Sequence, residues 1–335
     1  LDPNDENAKV LAIMLKIYQH NQEIFSKLYT INRYFDNEKR MISAFLRDVS
    51  LNNIDILVGY NVFDFDLQYL ATRLSDKRQL SFSTYKRNIS LAKLPNKQLL
   101  QAYGVYINGK RVQIVDVYAL VLKYDEVARV MDSHDLKYAA RFFDVSSDDR
   151  VILSHSEIID SFENDIEKFR AYIEADVVEA YKVFEVLYPR YYYLLYILPF
   201  QLTYEDVYIK STASIWDMLL SSYYPAEYLN NIKAENKKKY EGALVYVDRG
   251  LYRNVYKIDI SSMYPNIMLN YRIYSERKDK NAVMLSLLKT FTNERLMMKK
   301  KAKQGDNEAN LIQEALKLLI NSGYGYLGTG GYLFN

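Results

Sequence analysis

Asp259-Ile260-Ser261-Ser262-Met263-Tyr264-Pro265 puts a carboxylate near the end of an apolar strand pattern, Val255 to Ile260, and follows it with small hydroxyl residues. Small side chains at such a turn leave backbone N–H groups free to approach a triphosphate. A second segment, Lys317-Leu318-Leu319-Ile320-Asn321-Ser322-Gly323-Tyr324-Gly325, sets Lys317 and Asn321 one helical turn apart, on one face. Arg295 and Lys299 repeat that spacing upstream. Arg forks onto phosphate oxygens and Lys acts as a point charge. A carboxylate facing cationic helix faces is what a metal–nucleotide site needs. Each pair alone is equally what a solvated helix face supplies.

A second constellation lies in the first half of the chain. Asn61-Val62-Phe63-Asp64-Phe65-Asp66 follows a strand pattern and opens a helix, where an Asp either caps the helix or holds a metal, capping being the commoner role. Tyr172-Ile173-Glu174-Ala175-Asp176 puts Tyr172 and Asp176 on one helical face. Taken alone this is a weak signal, since Tyr/Asp pairs at that spacing are common on ordinary helices.

Composition narrows the chemistry. No cysteine is present, which excludes a disulfide framework or a thiolate metal site. With 3 His, a histidine zinc site is disfavoured, and carboxylate ligands point to Mg²⁺ or Mn²⁺. Net charge is only +2, so any polyanion-binding surface must be local. Residues 276 to 304 hold such an excess, including Lys289, Lys300, Lys301 and Lys303. The 33 Tyr residues serve a core or base stacking equally well. No apolar run reaches the ~20 residues that span a bilayer, and the run Tyr191 to Phe200, bracketed by Pro189 and Pro199, reads as a buried segment. No membrane partner is expected.

The elements that must position these residues follow from periodicity. Val10 to Ile17 and Ile24 to Ile31 read as strands, Glu38 to Val49 as a helix, Ile54 to Tyr60 as a strand leading into a helix at Asp66 to Leu70. Arg111 to Val117 is a strand pattern, and Tyr118 to Tyr124, Asp135 to Phe143 and Asp165 to Leu187 are helical. This alternation predicts an α/β domain over about residues 1–190. Residues 191 to 239 read as helical, Ala243 to Val247 and Val255 to Ile260 as strands around a Gly250 turn. Met284 to Lys303 and Glu308 to Ile320 predict two long helices joined at Gly305-Asp306-Asn307.

Gly59-Tyr60-Asn61 with Phe65-Asp66 resembles the Exo II motif of DEDD-type 3′–5′ exonucleases, and Tyr172 with Asp176 resembles Exo III of the Tyr-bearing subclass. Ile114-Val115-Asp116-Val117-Tyr118 and Asp135-Leu136-Lys137-Tyr138-Ala139-Ala140 are similar to the segments between them. The segment at Asp259 resembles motif A of family B DNA polymerases, Glu294-Arg295-x3-Lys299 the fingers helix, and Lys317-x3-Asn321-Ser322-x-Tyr324-Gly325 motif B. Tyr240-Glu241-Gly242-Ala243 resembles the linker motif between editing and synthesis domains. The motifs stand in family order across nearly the whole chain.

The resemblance implies an α/β and α+β multidomain fold: an RNase H-like DEDD exonuclease domain over 1–190, a helical linker and palm entry over 191–245, part of a palm over 246–283, a helical-hairpin fingers lobe over 284–325, and a return toward the palm over 326–335. It implies Asp66, Asp176 and Asp259 as catalytic metal ligands, with the Ile260 carbonyl a further ligand and Tyr172 orienting the attacking water. Ser262, Met263, Tyr264, Arg295, Lys299, Lys317 and Asn321 would bind nucleotide, with Tyr264 excluding a 2′-hydroxyl. Asn61, Tyr240, Gly242, Tyr324 and Gly325 would touch DNA. Two Mg²⁺ (or Mn²⁺) per active site, primer-template DNA, deoxynucleoside triphosphates and a processivity factor follow as cofactors and partners, in an intracellular setting.

Two family features are not found. Exo I, an Asp-x-Glu in the first strand, is not matched by Asp36-Asn37-Glu38, which opens a helix. It is expected before Leu1. Motif C is expected after Asn335, so these residues alone are expected to be inactive. Competing readings are an inactivated, polymerase-derived DNA-binding protein and a stand-alone 3′–5′ exonuclease.

Overall fold

The computed structural model describes residues 9–31, 33–89, 100–198, 202–236, 244, 246–256, 258, 260 and 262–335. The chain divides into two compact units, Leu1–Pro189 with Leu202–Ile209, and Arg190–Gln201 with Lys210–Asn335. Among the described residues no helix is long and apolar enough to cross a membrane.

The first unit opens with an antiparallel hairpin, β1 (Ala12–Gln19) and β2 (Gln22–Thr30). Its turn residues His20 and Asn21 both have positive φ, the geometry that matches strand twist. Helix α1 (Glu38–Leu51) is capped by Asn37, whose side chain accepts from the Arg40 amide, and buries Met41, Ile42, Phe45, Leu46 and Val49 on one face. Glu38 therefore serves structure: its carboxylate accepts from the Val10 amide and pairs with Arg73. Strand β3 (Ile56–Gly59) runs into a π-helical turn, Val62–Asp66, and then α2 (Leu67–Arg73).

Three further strands, β4 (Leu80–Ile89), β5 (Leu100–Ile107) and β6 (Lys110–Asp116), complete a four-stranded sheet of order β3-β6-β5-β4. β3 and β6 are parallel and the other pairs antiparallel. Helices α3 (Val117–Ala128), α4 (Leu136–Phe142), α5 (His155–Asn164) and α6 (Ile166–Leu187) follow. Beyond α6 come three single-turn helices, α7 (Pro189–Tyr192), α8 (Leu194–Ile197) and α9 (Asp206–Ile209). Residues 202–209 return to the first unit. There the buried Glu205 carboxylate accepts from the Ile114 amide and from Arg111, each at 3.0 Å, and the Tyr208 hydroxyl donates to the Ile114 carbonyl.

The second unit contains α10 (Thr212–Ser221), α11 (Ala226–Asn231), α12 (Met263–Asn270), α13 (Val283–Ala302) and α14 (Asn307–Leu327). The α13–α14 connection turns at Gly305, with φ 94, and Asp306 caps α14 by accepting from the Ala309 amide. Leu288, Phe291, Leu316, Leu319 and Ile320 form the core of this hairpin, with the fully buried Trp216 of α10 packed in. The Trp216 indole N–H donates to the Leu319 carbonyl at 2.8 Å. A Cβ added to Gly323 would meet the Trp216 ring at 3.4 Å, an ordinary van der Waals contact.

The strands expected at Ala243 to Val247 and Val255 to Ile260 do not appear among the described residues there. Leu244, Tyr246, Val255, Tyr256 and Ile258 are instead exposed. An apolar run forms a strand only when a neighbour accepts its backbone hydrogen bonds, and no described strand lies in this unit.

Candidate active sites

In the first unit, a cavity of about 990 Å³ runs between β1 and β3. Among the described residues neither strand has a second neighbour on that side. Ile13, Leu15, Ile56 and Val58 are among its apolar walls, and Asp66, Tyr172 and Asp176 all face it. The structure thus brings together the three residues that spacing singled out there.

Asp66 ends the π-helical turn and makes no side-chain cap to α2, so the commoner capping role does not apply. One side of Asp66 is exposed, while the protein crowding its carboxyl pushes it up to about 6 by burial. Asn61, which opens the turn, has φ 60, and its amide donates to Asp116 at 2.9 Å.

Asp116 is what fixes this turn, and the sequence reading did not assign it that role. Its fully buried carboxylate accepts from the amides of Asn61, Phe63 (3.2 Å) and Tyr118 (3.0 Å). Burial nevertheless pushes it up to about 7, outweighing the backbone amides that favour the charged form. One carboxylate at the end of β6 therefore shapes the backbone that presents Asp66, and also caps α3. The available signal was an acidic residue ending an apolar strand.

Asp176 lies on α6, one turn beyond Tyr172. Arg150 bridges Asp176 and the buried Glu179, and Ser146 donates to Glu179 at 2.6 Å. Burial raises the Asp176 carboxyl, with Arg150 and then Lys137 opposing. The Lys137 ammonium also lies 5.5 Å from the centre of the Tyr172 ring. Arg150 and Lys137 are thus cations of this site that no spacing rule identified. Among the described residues no group of three or more His, Asp or Glu is placed to hold a metal ion. Asp66 and Asp176 are two carboxylates on one cavity, a donor set suited to a hard cation.

In the second unit, Asp259, Tyr240 and Gly242 lie outside the described residues. The remaining candidates fall into two groups. Ser262, with φ 53, precedes α12 without capping it, so the first amides of α12, beginning at Met263, receive no bond from that side chain. The Ser262 hydroxyl accepts instead from Arg295 of α13 at 3.0 Å. Arg295 is buried, its Nε has no partner, and burial lowers its pKa. Tyr264 of α12 stacks on Tyr324 of α14, ring centres 4.9 Å apart and planes 24° off parallel. Helix α12 therefore touches both long helices through the motif residues themselves.

Lys299 is half-buried, and Lys317 and Asn321 lie on the exposed face of α14. No bond joins these three to Arg295 among the described contacts. Gly325 has open space where a Cβ would be, and the Ile260 side chain is exposed.

Residues 4–138 match DNA polymerase family B, exonuclease domain. The DNA polymerase of Archaeoglobus fulgidus is 24% identical over 97% of this chain and 42% of its own length. That of Thermococcus gorgonarius is 26% identical over 87% of this chain and 40% of its own. The structure of the family B DNA polymerase from Pyrobaculum calidifontis superposes with a TM-score of 0.66, at 21% identity, over 93% of this chain and 44% of that one. Together these likenesses support a family B DNA polymerase N-terminal region. The chain spans about two fifths of the length of these relatives.

Proposed function

We propose that this chain is the editing and nucleotide-selecting portion of a template-directed DNA polymerase with 3′–5′ proofreading. The observation that carries the reading is the meeting of motif residues in the second unit: Tyr264 stacked on Tyr324, and Arg295 bonded to Ser262. Side chains from three separate helices converge there, as a site that grips one nucleotide requires. Primer-template DNA and deoxynucleoside triphosphates are the substrates this reading names, in an intracellular setting, with a processivity factor as a further partner.

In the nucleotide site, Arg295 forks onto the triphosphate while Lys299 and Lys317 add point charges. Asn321 supplies amide donors, and the free amides beginning at Met263, with Ser262, meet phosphate oxygens. The Tyr264 ring closes the space beside the sugar, and Tyr324 and Gly325 bound the nascent base pair. Asp259 and the Ile260 carbonyl are the metal-ligating groups of this site, and Tyr240 and Gly242 the template-contacting ones.

In the editing site, Asp66 and Asp176 would hold a divalent cation, Mg²⁺ or Mn²⁺, which when bound supplies water activation and charge neutralisation at the scissile phosphate. Tyr172 orients the attacking water. Asn61 holds the displaced strand, and Arg150 neutralises Asp176 until a substrate phosphate arrives. The slot between β1 and β3 is where an Exo I strand would add its Asp and Glu. The DEDD exonuclease domain and the fingers hairpin are the finer names this reading gives to the first unit and to α13–α14.

The test is a 5′-labelled primer-template incubated with the longer enzyme and Mg²⁺. The reading predicts shortened products without nucleotides and extended products with them. Neither product would leave the DNA-binding alternative, and shortening alone the stand-alone exonuclease.

A further inference from the structure

The first unit carries a second concave surface that neither active site uses. A recess of about 590 Å³ is lined by Lys39, Arg40, Ser43 and Arg47 of α1, and by Asp76 and Gln79 beyond α2. It shares no residue with the cleft between β1 and β3. Helix α1 divides the two, turning Phe45 to the cleft and its cationic face to the recess.

Three cations and one carboxylate bound this recess, and the carboxylate, Asp76, is already held by Arg78 at 2.9 Å. Arg40 pairs with Asp36 at 2.8 Å, with both side chains mostly exposed, and Arg47 approaches Asp48 only to 3.6 Å. Exposed pairs of this kind are weak, and a phosphate can displace them. Lys39 has no ion pair among the described residues. The floor is made of neutral polar groups: the Ser43 hydroxyl donates to the Gln79 side chain at 2.7 Å, and the Asn108 amide donates to Ser50.

Two features favour a nucleic-acid strand over a single anion. Lys39 and Arg47 are eight residues apart on a helix, about 12 Å, far enough to meet two separate phosphates of one strand. Tyr34, 70% exposed, directly precedes Phe35, which lines the recess, and an exposed aromatic ring is a platform for an unpaired base.

We propose that this recess binds the backbone of single-stranded nucleic acid, with Lys39 and Arg47 contacting phosphates and Tyr34 stacking on a base. This surface does not rest on either active site, and it would bind a strand whether or not the cleft cuts one.

The experiment measures anisotropy of a fluorescein-labelled 12-nucleotide DNA of mixed sequence against the full chain, in EDTA so that nothing is cut. Lys39→Gln/Arg47→Gln is expected to weaken binding at least ~5-fold and to reduce the log–log salt slope by about 1.4, some 0.7 per lost phosphate contact. Tyr34→Ala is expected to weaken binding at a similar scale with the slope unchanged. Melting temperatures confirm that each variant is folded. Affinity and slope unchanged in both recess variants would overturn the proposal. So would polyglutamate competing as well as unlabelled DNA at equal charge, which would indicate an acidic protein partner.

Discussion

Tyr264 and Tyr324 stack across two helices, ring centres 4.9 Å apart, although sixty positions separate them in the chain. The first belongs to the segment that follows Asp259, the second to the segment that follows Lys317. Both rings are partly exposed, so the pair forms a rigid wall rather than core. In the proposed nucleotide site, replacing Tyr264 by Ala removes the ring that would lie beside the sugar. Primer extension with ribonucleotides is expected to rise at least ~10-fold relative to deoxynucleotides, while Tyr264→Phe, which keeps the ring, should stay near the parent. Unchanged sugar selection in the Ala variant would refute that role.

Arg295 separates binding from stability. It is a buried guanidinium with an unpartnered Nε and one bond to Ser262, and burying a charge without a full set of partners costs free energy. Arg295→Met is therefore expected to melt at or above the parent temperature while the KM for nucleotide rises at least ~10-fold. Arg295→Lys should not restore affinity, because an ammonium lacks the planar fork. Calorimetry and steady-state kinetics on the same samples check both halves.

Arg150 behaves in the opposite way. It bridges Asp176 and Glu179, so Arg150→Ala leaves a buried Glu179 without its cation. The expected loss is about 3–5 kcal/mol in urea denaturation of the first unit. Arg150→Met with Glu179→Leu, removing both partners, should recover most of it.

The legible and illegible parts of this chain divide by range of interaction. Helices α1, α6, α13 and α14 were readable because apolar period and local punctuation, such as Gly305 and the Asp306 cap, are contained in each segment. Asp66, Tyr172 and Asp176 were readable as candidates, and the structure sets them on one cavity. Arg150 was not readable, because it reaches Asp176 from a loop 26 positions away and nothing local marks it. The sequence marks Asp116 only as part of a strand and of a family-like segment, since its hydrogen bonds run to Asn61 and Phe63 on another segment. Strands β4 and β5 are not marked in the sequence, and the strands expected at Ala243 to Val247 and Val255 to Ile260 have no counterpart among the described residues there. In each case the deciding factor is whether a neighbouring strand is present, which periodicity does not report.

Asp116 gives a pH dependence of known sign. Its folded pKa, about 7, lies above the ordinary Asp value of about 3.9. The folded state thus holds a proton that the unfolded state releases. The contribution is fully present below about pH 4 and is lost as pH rises through about 7. Asp116→Asn removes this titration. The stability difference between parent and variant, from melts at pH 5 and pH 8, should therefore shift against the parent at pH 8, by at most about 3 kcal/mol. A constant difference would place the Asp116 pKa near its ordinary value.

The two-site reading is tested most directly by separating the activities in the longer enzyme. Asp66→Ala and Asp259→Ala are compared on one labelled primer-template, with and without nucleotides. Asp66→Ala should abolish 3′–5′ digestion and leave extension near the parent rate. Asp259→Ala should abolish extension and leave digestion intact. Loss of both activities in either properly folded variant would contradict two independent sites.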